Sequence, residues 1–378
     1  MLVCLDFGDA DYEDGIGEIT RLAQSAGAKR NRVVRGARQR PDARLYAGSG
    51  KVVEIGLAAD EMNAATVIFN HTLSPGQQRN LEQELGRKVL DRTELILRIF
   101  AQRARTSEGK LQVELAQLEH LSTRLVRGWT HLERQRGGLG KTGGPGETQI
   151  ELDRRYIAKR VAVLKEKLKE LQKQRVIRRR ARSRRDVYSV ALVGYTNAGK
   201  STLFNALTHP SAGAYVADKL FATLDTTTRK VWIEGVTPDR PRLQVVVSDT
   251  VGFIRDLPHG LVAAFRATLE ETVRADLLLH VVDSASGARL REVEDVNKVL
   301  AEIHADAIPQ IAVWNKIDLS RLSPAVERDE YGRISRVLVS ARSGAGLAGL
   351  RAAIAEAAQP QQQPGHFPIH DPSPELSI

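Results

Sequence analysis

Gly194-Tyr195-Thr196-Asn197-Ala198-Gly199-Lys200-Ser201 has the spacing G-x-x-x-x-G-K-S, and its flanks decide what it is. Val190-Ala191-Leu192-Val193 before it reads as a buried strand, and Thr202-Leu203-Phe204-Asn205-Ala206-Leu207 after it as a helix. Between strand and helix such a loop turns successive backbone N–H groups inward at a helix N-terminus, where the dipole favours anions. Lysine adds a point charge and serine a hydroxyl ligand for Mg²⁺. The stretch is thus a phosphate cradle, and its setting is a doubly wound, mostly parallel α/β sheet with ligand at the carboxyl ends of the strands.

Two further apolar runs end in residues that such a cradle needs. Val245-Val246-Val247-Ser248 leads into Asp249-Thr250-Val251-Gly252, which sets a carboxylate where it can hold the metal and leaves the Gly252 N–H free for a γ-phosphate. Ile311-Ala312-Val313-Trp314 leads into Asn315-Lys316-Ile317-Asp318, whose last carboxylate can accept two hydrogen bonds from guanine N1–H and the 2-amino group. Adenine lacks that donor pair, and a buried carboxylate left unsatisfied discriminates strongly. After the strand Val337-Leu338-Val339, Ser340-Ala341-Arg342 fits a fourth contact, backbone amides on guanine O6. The expected ligand is GTP or GDP rather than ATP. By contrast, Gly48-Ser49-Gly50-Lys51 lacks the first glycine and the following Ser or Thr, and reads as a helix start.

The 378 residues leave room for two or three cores, with ordinary hydrophobic (42%) and charged (27%) content. A single cysteine, Cys4, excludes an internal disulfide and a cysteine-based zinc cage. No apolar run approaches the ~20 residues of a membrane span, and the first residues are acidic where a signal peptide is basic, so the expected location is the cytoplasm. Of the net charge of +10, the segment from Glu151 to Arg185 alone carries +11, which leaves −1 for the remainder. One-sign basicity over a helix points to a polyanion, nucleic acid above all; an acidic membrane surface and a merely solvated helix are the alternatives.

Along the chain, residues 1–106 read as a small α/β unit. Its strands fall at Leu2–Leu5, Arg32–Val34 and Thr66–Phe69 and its helices near 14–26, 50–62, 76–85 and 92–105; His71 stands alone and reads as structural or surface. Residues 107–186 form two long helices with narrow seams, Leu111, Leu115, Leu118 and Leu125 against Ile157, Val161, Leu164, Leu168 and Leu171, expected to pair as an antiparallel coiled-coil arm. At its tip, 135–149 is glycine-rich, and Arg134, Arg136 and Lys141 with Trp129 offer phosphate contacts and base stacking. The nucleotide motifs occupy 187–358, and the Pro- and Gln-rich 359–378 reads as a disordered tail.

Gly144-Pro145-Gly146-Glu147-Thr148-Gln149-Ile150-Glu151 before the basic helix and Gly252-Phe253-Ile254-Arg255-Asp256-Leu257-Pro258-His259 after the aspartate make the chain resemble the HflX family of translational GTPases over nearly its whole length. The resemblance implies GTP hydrolysis stimulated by ribosomes, binding to the large ribosomal subunit and its RNA, and splitting or rescue of stalled ribosomes; the expected state is a monomer. An RNA-binding module or assembly factor with nucleotide-tuned affinity is the alternative, and a protein-directed signalling switch leaves the basic helix unexplained. Resemblance to GTPases with a Phe-x-Thr pattern makes Thr223 the third magnesium ligand beside Ser201 and Asp249 in the triphosphate state, with Thr226, Thr227 and Thr228 as alternatives. It also makes Lys200, Thr223 and Gly252 the expected catalytic groups. Asn197 matches the loop asparagine of GTPases that recruit K⁺. Phe253 stands where Ras-like proteins carry a water-orienting glutamine, so unaided hydrolysis is expected to be slow.

Overall fold

The computed structural model describes residues 1–9, 11–127, 145–183, 187–208, 220–221, 223–224, 226–237, 240–255 and 266–359. Of the expected tip loop 135–149, residues 135–144 lie outside them, as do Trp129, Arg134 and the tail from 360, while 145–149 already belong to a helix rather than a loop.

The N-terminal unit is a four-stranded parallel sheet, β2-β1-β3-β4, made of β1 (Leu2–Asp6), β2 (Val33–Ala37), β3 (Thr66–Phe69) and β4 (Lys88–Leu90). Successive side chains of a strand face opposite ways, and β1 serves both faces. Leu2 and Cys4 join the core under α1 (Tyr12–Ser25) and α4 (Arg92–Arg103). Val3 and Leu5 join the core under α2 (Ser49–Glu61) and α3 (Pro75–Leu85). Local chemistry sets the helix starts. Ser74 and Gln77 close a capping box before α3, with proline at its first turn, and the Asp91 carboxylate accepts from the Glu94 N–H to start α4. Gly48 does precede a helix, and Lys51 is spent on the Arg35 carbonyl and Glu54. His71 sits against the rings of Phe7 and Tyr46.

Two long helices follow, α5 (Ser107–Arg127) and α6 (Pro145–Ser183). They touch through Leu115, Leu164 and Leu168, flanked by Leu111, Leu118 and Val161, and ion pairs Glu114–Arg160 (2.6 Å) and Glu119–Lys165 (2.8 Å) border the seam. α5 is tied to the sheet unit by Arg124, which reaches the buried Asp91.

The second sheet has seven strands in the order β10-β11-β9-β8-β5-β7-β6. β5 (Tyr188–Val193), β7 (Arg240–Asp249), β8 (Leu277–Asp283), β9 (Gln310–Asn315) and β11 (Ile334–Leu338) run parallel, while the edge strands β6 (Thr227–Thr237) and β10 (Ala325–Arg328) pair antiparallel. α7 (Lys200–Thr208) and α10 (Leu347–Ala357) cover one face. The other face carries α8 (Arg266–Val273) and α9 (Arg289–Glu302), and its apolar cluster runs on without a break into α1 and α4 of the first unit. The two units therefore share a core. No helix among the described residues is long and apolar enough to cross a membrane.

Candidate nucleotide site

β5, an inner strand between β8 and β7, delivers the loop Gly194–Gly199, and α7 begins at Lys200. Two glycines are there for close approach. Gly194 has φ +147°, and a Cβ on it would lie 2.2 Å from the Val281 carbonyl oxygen; at Gly199, with φ +93°, a Cβ would lie 2.2 Å from the Asn315 amide nitrogen. Lys200 is 5% exposed, and its ammonium donates to the carbonyls of Gly194 (3.0 Å) and Tyr195 (2.8 Å). Burial pulls its pKa down to about 8, against the attraction of Asp249. A phosphate in the loop would supply the counter-charge that this cation lacks.

The three residues expected to hold a metal meet. Ser201 Oγ and Thr223 Oγ1 are 2.8 Å apart, and Thr223 donates to Asp249 Oδ2 at 2.7 Å. Asp249 is 2% exposed and its other oxygen, Oδ1, has no hydrogen-bond partner. Burial raises its pKa, opposed by hydrogen bonds from Thr223 and Ser201 and by the charge of Lys200. Two hydroxyls and an orphaned carboxylate oxygen are the donor set of a hard cation, so the residues present fit Mg²⁺. Of the alternatives, Thr227 and Thr228 are built into β6, where the Thr228 hydroxyl meets Ser248.

Asp249 is followed by a segment zipped onto the phosphate loop. Thr250 donates to the Leu192 carbonyl, the Phe253 N–H donates to the Gly194 carbonyl (3.1 Å) and the Thr196 N–H to the Phe253 carbonyl (2.7 Å). Gly252 sits where a Cβ would come within 3.0 Å of the Lys200 ammonium and of Thr196. Val251 and Phe253 are buried in the shared core. Phe253 is therefore a packing residue.

On the base side, Asn315 ties three pieces together, its amide donating to the Ala198 carbonyl and its oxygen accepting from the Ala341 N–H, both at 2.9 Å. Lys316 pairs with Asp283 at 2.7 Å. Ser340 Oγ donates to Asp318 Oδ1 at 2.6 Å, orienting that carboxylate. Arg342 is exposed, and Thr202 continues the first turn of α7.

Sequence reading missed what backs the loop. Tyr195 donates its hydroxyl to Glu18 of α1 (2.7 Å) and accepts the Arg255 N–H (3.0 Å). The same Glu18 pairs with Arg92 of α4 at 2.9 Å, and Arg92 also donates to Asn70 (3.1 Å) and to the Arg255 carbonyl (3.0 Å). Burial and the adjoining Glu18 carboxylate raise the Tyr195 pKa, so the phenol stays a donor. Both charged residues occupy apolar helix faces, Glu18 four residues before Leu22 and Arg92 four before Ile96, and that was the available signal. Beside this node a cleft of about 390 Å³ runs between α1, Asn197 and the loop after β8.

The chain is similar to known proteins over most of its length. The family described as GTP-binding GTPase N-terminal matches residues 13–101, GTP-binding GTPase Middle Region matches 103–182, and 50S ribosome-binding GTPase matches 189–316. GTPase HflX of Escherichia coli (strain K12) is 52% identical over 349 residues, 92% of this chain and 80% of the relative. That of Magnetococcus marinus is 50% identical over 332 residues, 88% of this chain and 75% of the relative. Among solved structures, the SsGBP–GDP complex shares the fold, with a TM-score of 0.51 at 24% identity over 94% of this chain and 97% of that one.

Proposed function

From the premise that this chain belongs to the HflX family of GTPases and is a GTP hydrolase, we propose that it binds the large ribosomal subunit through the basic face of α6 and uses GTP hydrolysis to split or rescue stalled ribosomes. The observation that carries this reading is the helix itself. Arg154, Arg155, Lys159, Lys165, Lys167, Lys169 and Lys173 are exposed along it, as a contact to RNA phosphates requires. The match of residues 189–316 to a family described as 50S ribosome-binding supports the choice of partner.

In the site, the loop amides and Lys200 bind the β- and γ-phosphates, Gly252 offers its N–H to the γ-phosphate, and Asp318 reads the guanine edge with the amides of Ser340, Ala341 and Arg342 on O6. Ser201, Thr223 and Asp249 would hold Mg²⁺, which when bound neutralises charge on the transferring phosphoryl group. Asn197 would hold K⁺. Because the Phe253 side chain has no hydrogen-bonding group and is buried, water orientation is left to the ribosome-bound state, which would account for stimulation by the partner. Equal turnover on ribosomes in K⁺ and Na⁺ buffers would remove K⁺ from the account.

The test is co-sedimentation with isolated large and small subunits, in a non-hydrolysable GTP analogue and in GDP, for the native chain and for a chain carrying Lys167→Glu, Lys169→Glu and Lys173→Glu. Pelleting with large subunits that the charge reversals abolish, with GTP affinity intact, is the expected result. Undiminished pelleting of the reversed chain refutes the role of α6.

A further inference from the structure

The hydroxyl that meets Ser201 and Asp249 belongs to a segment with no core of its own. On either side of Thr223, Leu220 and Phe221 are 3% exposed and Leu224 is 2% exposed, and the apolar cluster they enter joins Ile19 and Leu22 of α1 and Ile96, Ile99 and Phe100 of α4 to Val193, Val251 and Phe253 of the nucleotide domain. Phe221 stands edge-on to Phe100, with ring centroids 4.6 Å apart and planes at 88°. One residue earlier the Leu220 N–H donates to Ser25 Oγ at 3.0 Å, at the last residue of α1. Phe221 itself has φ +53°. A bulky side chain adopts that left-handed conformation only where its surroundings over-determine it, and both restraints come from the other domain. Thr223 is two residues on, so the turn at Phe221 sets where its hydroxyl falls.

We infer that the N-terminal domain positions the metal-binding threonine: Phe221, seated on Phe100 and tethered through Ser25, is a positioning residue that holds Thr223 over Ser201 and Asp249. The preference for magnesium-bound GTP over GDP is thereby set from outside the GTPase domain. This rests on the assignment of Thr223 to the metal. Without the anchor the competent arrangement becomes a minor population; if it falls to about one tenth, apparent affinity for the magnesium-bound triphosphate falls about tenfold, while GDP, which does not engage Thr223, is spared.

The experiment titrates a fluorescent non-hydrolysable GTP analogue and GDP, each with and without Mg²⁺, into the full chain and its Phe221→Ala, Phe221→Leu, Ser25→Ala and Thr223→Ala variants. Deuterium exchange at the Leu220 amide is followed in nucleotide-free protein. Phe221→Ala should weaken the magnesium-bound analogue about tenfold and GDP less than about twofold, with Phe221→Leu recovering most of the loss. Ser25→Ala should accelerate exchange at Leu220 and shift analogue affinity in the same direction. Should Phe221→Ala lose GDP binding as well, it has unfolded, and Ser25→Ala decides the matter. Unchanged analogue affinity in Ser25→Ala or in a folded Phe221→Ala, or equal loss of both nucleotides in Ser25→Ala, overturns the positioning role. If Thr223→Ala leaves the magnesium dependence intact, the assignment of Thr223 itself fails and the inference falls with it; a loss confined to Thr223→Ala refutes the inference alone.

Discussion

The ion pair behind the phosphate loop gives a quantitative test of the domain interface. Arg92 and Glu18 each keep about 7% of their side-chain surface exposed and lie 2.9 Å apart. Removing one partner strands a buried charge, and such losses cost about 3 to 5 kcal/mol. Arg92→Leu and Glu18→Leu should each destabilise the chain by that amount, and independent effects would sum to about 6 to 10 kcal/mol. The double variant strands no charge. It deprives the Tyr195 hydroxyl, the Asn70 amide oxygen and the Arg255 carbonyl of one partner each, at about 1 kcal/mol apiece. The double variant should therefore lie about 3 kcal/mol below the native chain, near either single variant, with a coupling energy of about 3 kcal/mol or more. Equilibrium urea unfolding followed by tryptophan fluorescence measures all four corners of the cycle. A double variant as unstable as the sum of the singles would mean that the two side chains do not compensate each other and that the node is not an ion pair in solution.

His280, 5% exposed in β8, is pushed down to about 4 by burial and by the charge of Lys200. The unfolded chain takes up that proton below about 6.5 and the folded chain refuses it until about 4, so stability is complete above 6.5 and falls by about 3 kcal/mol as pH drops through that window; urea midpoints at pH 7 and pH 4.5 should converge between native chain and His280→Gln at the acid end, and parallel curves refute it. If α6 makes about six phosphate contacts, affinity for large subunits should drop about a thousandfold between 50 and 200 mM salt, read by co-sedimentation; a flat salt response removes RNA as the ligand of that helix. The Cys4 thiol, 1% exposed and raised to about 12 by burial, should resist a disulfide reagent at pH 8 until denaturant is added, and rapid native labelling would show β1 opening locally.

The nucleotide loop is legible in sequence because its chemistry is local. Gly194 and Gly199 take φ +147° and +93° within the turn of the loop itself, and a lysine and a serine must follow at once for their heads to reach one phosphate and its cation. Asp249 and Asn315 are legible for a related reason: each ends an apolar run, and parallel strands present their carboxyl ends on one edge. The edge strand β10 gives no such signal, since all four of its residues are exposed and no apolar alternation marks it. β4 is three residues long and too short to show a period.

What sequence leaves open is pairing across the chain. Glu18 on an apolar stripe says that a carboxylate is buried and must find a partner, but the partner Tyr195 is 177 residues away and nothing at either position names the other. Thr223 poses the same problem at shorter range, because Thr226, Thr227 and Thr228 have equal chemistry and sequence alone does not say which hydroxyl meets Ser201 and Asp249. Leu220 and Phe221 beside it, like Val251 and Phe253, lie in the one apolar cluster that α1 and α4 share with the nucleotide domain. The segments carrying Thr223 and Gly252 thus bury apolar side chains in the cluster that the two domains share. The nucleotide site and the domain interface are consequently one cooperative unit, in which a change at either is felt at the other through packing, without any need for a separate relay.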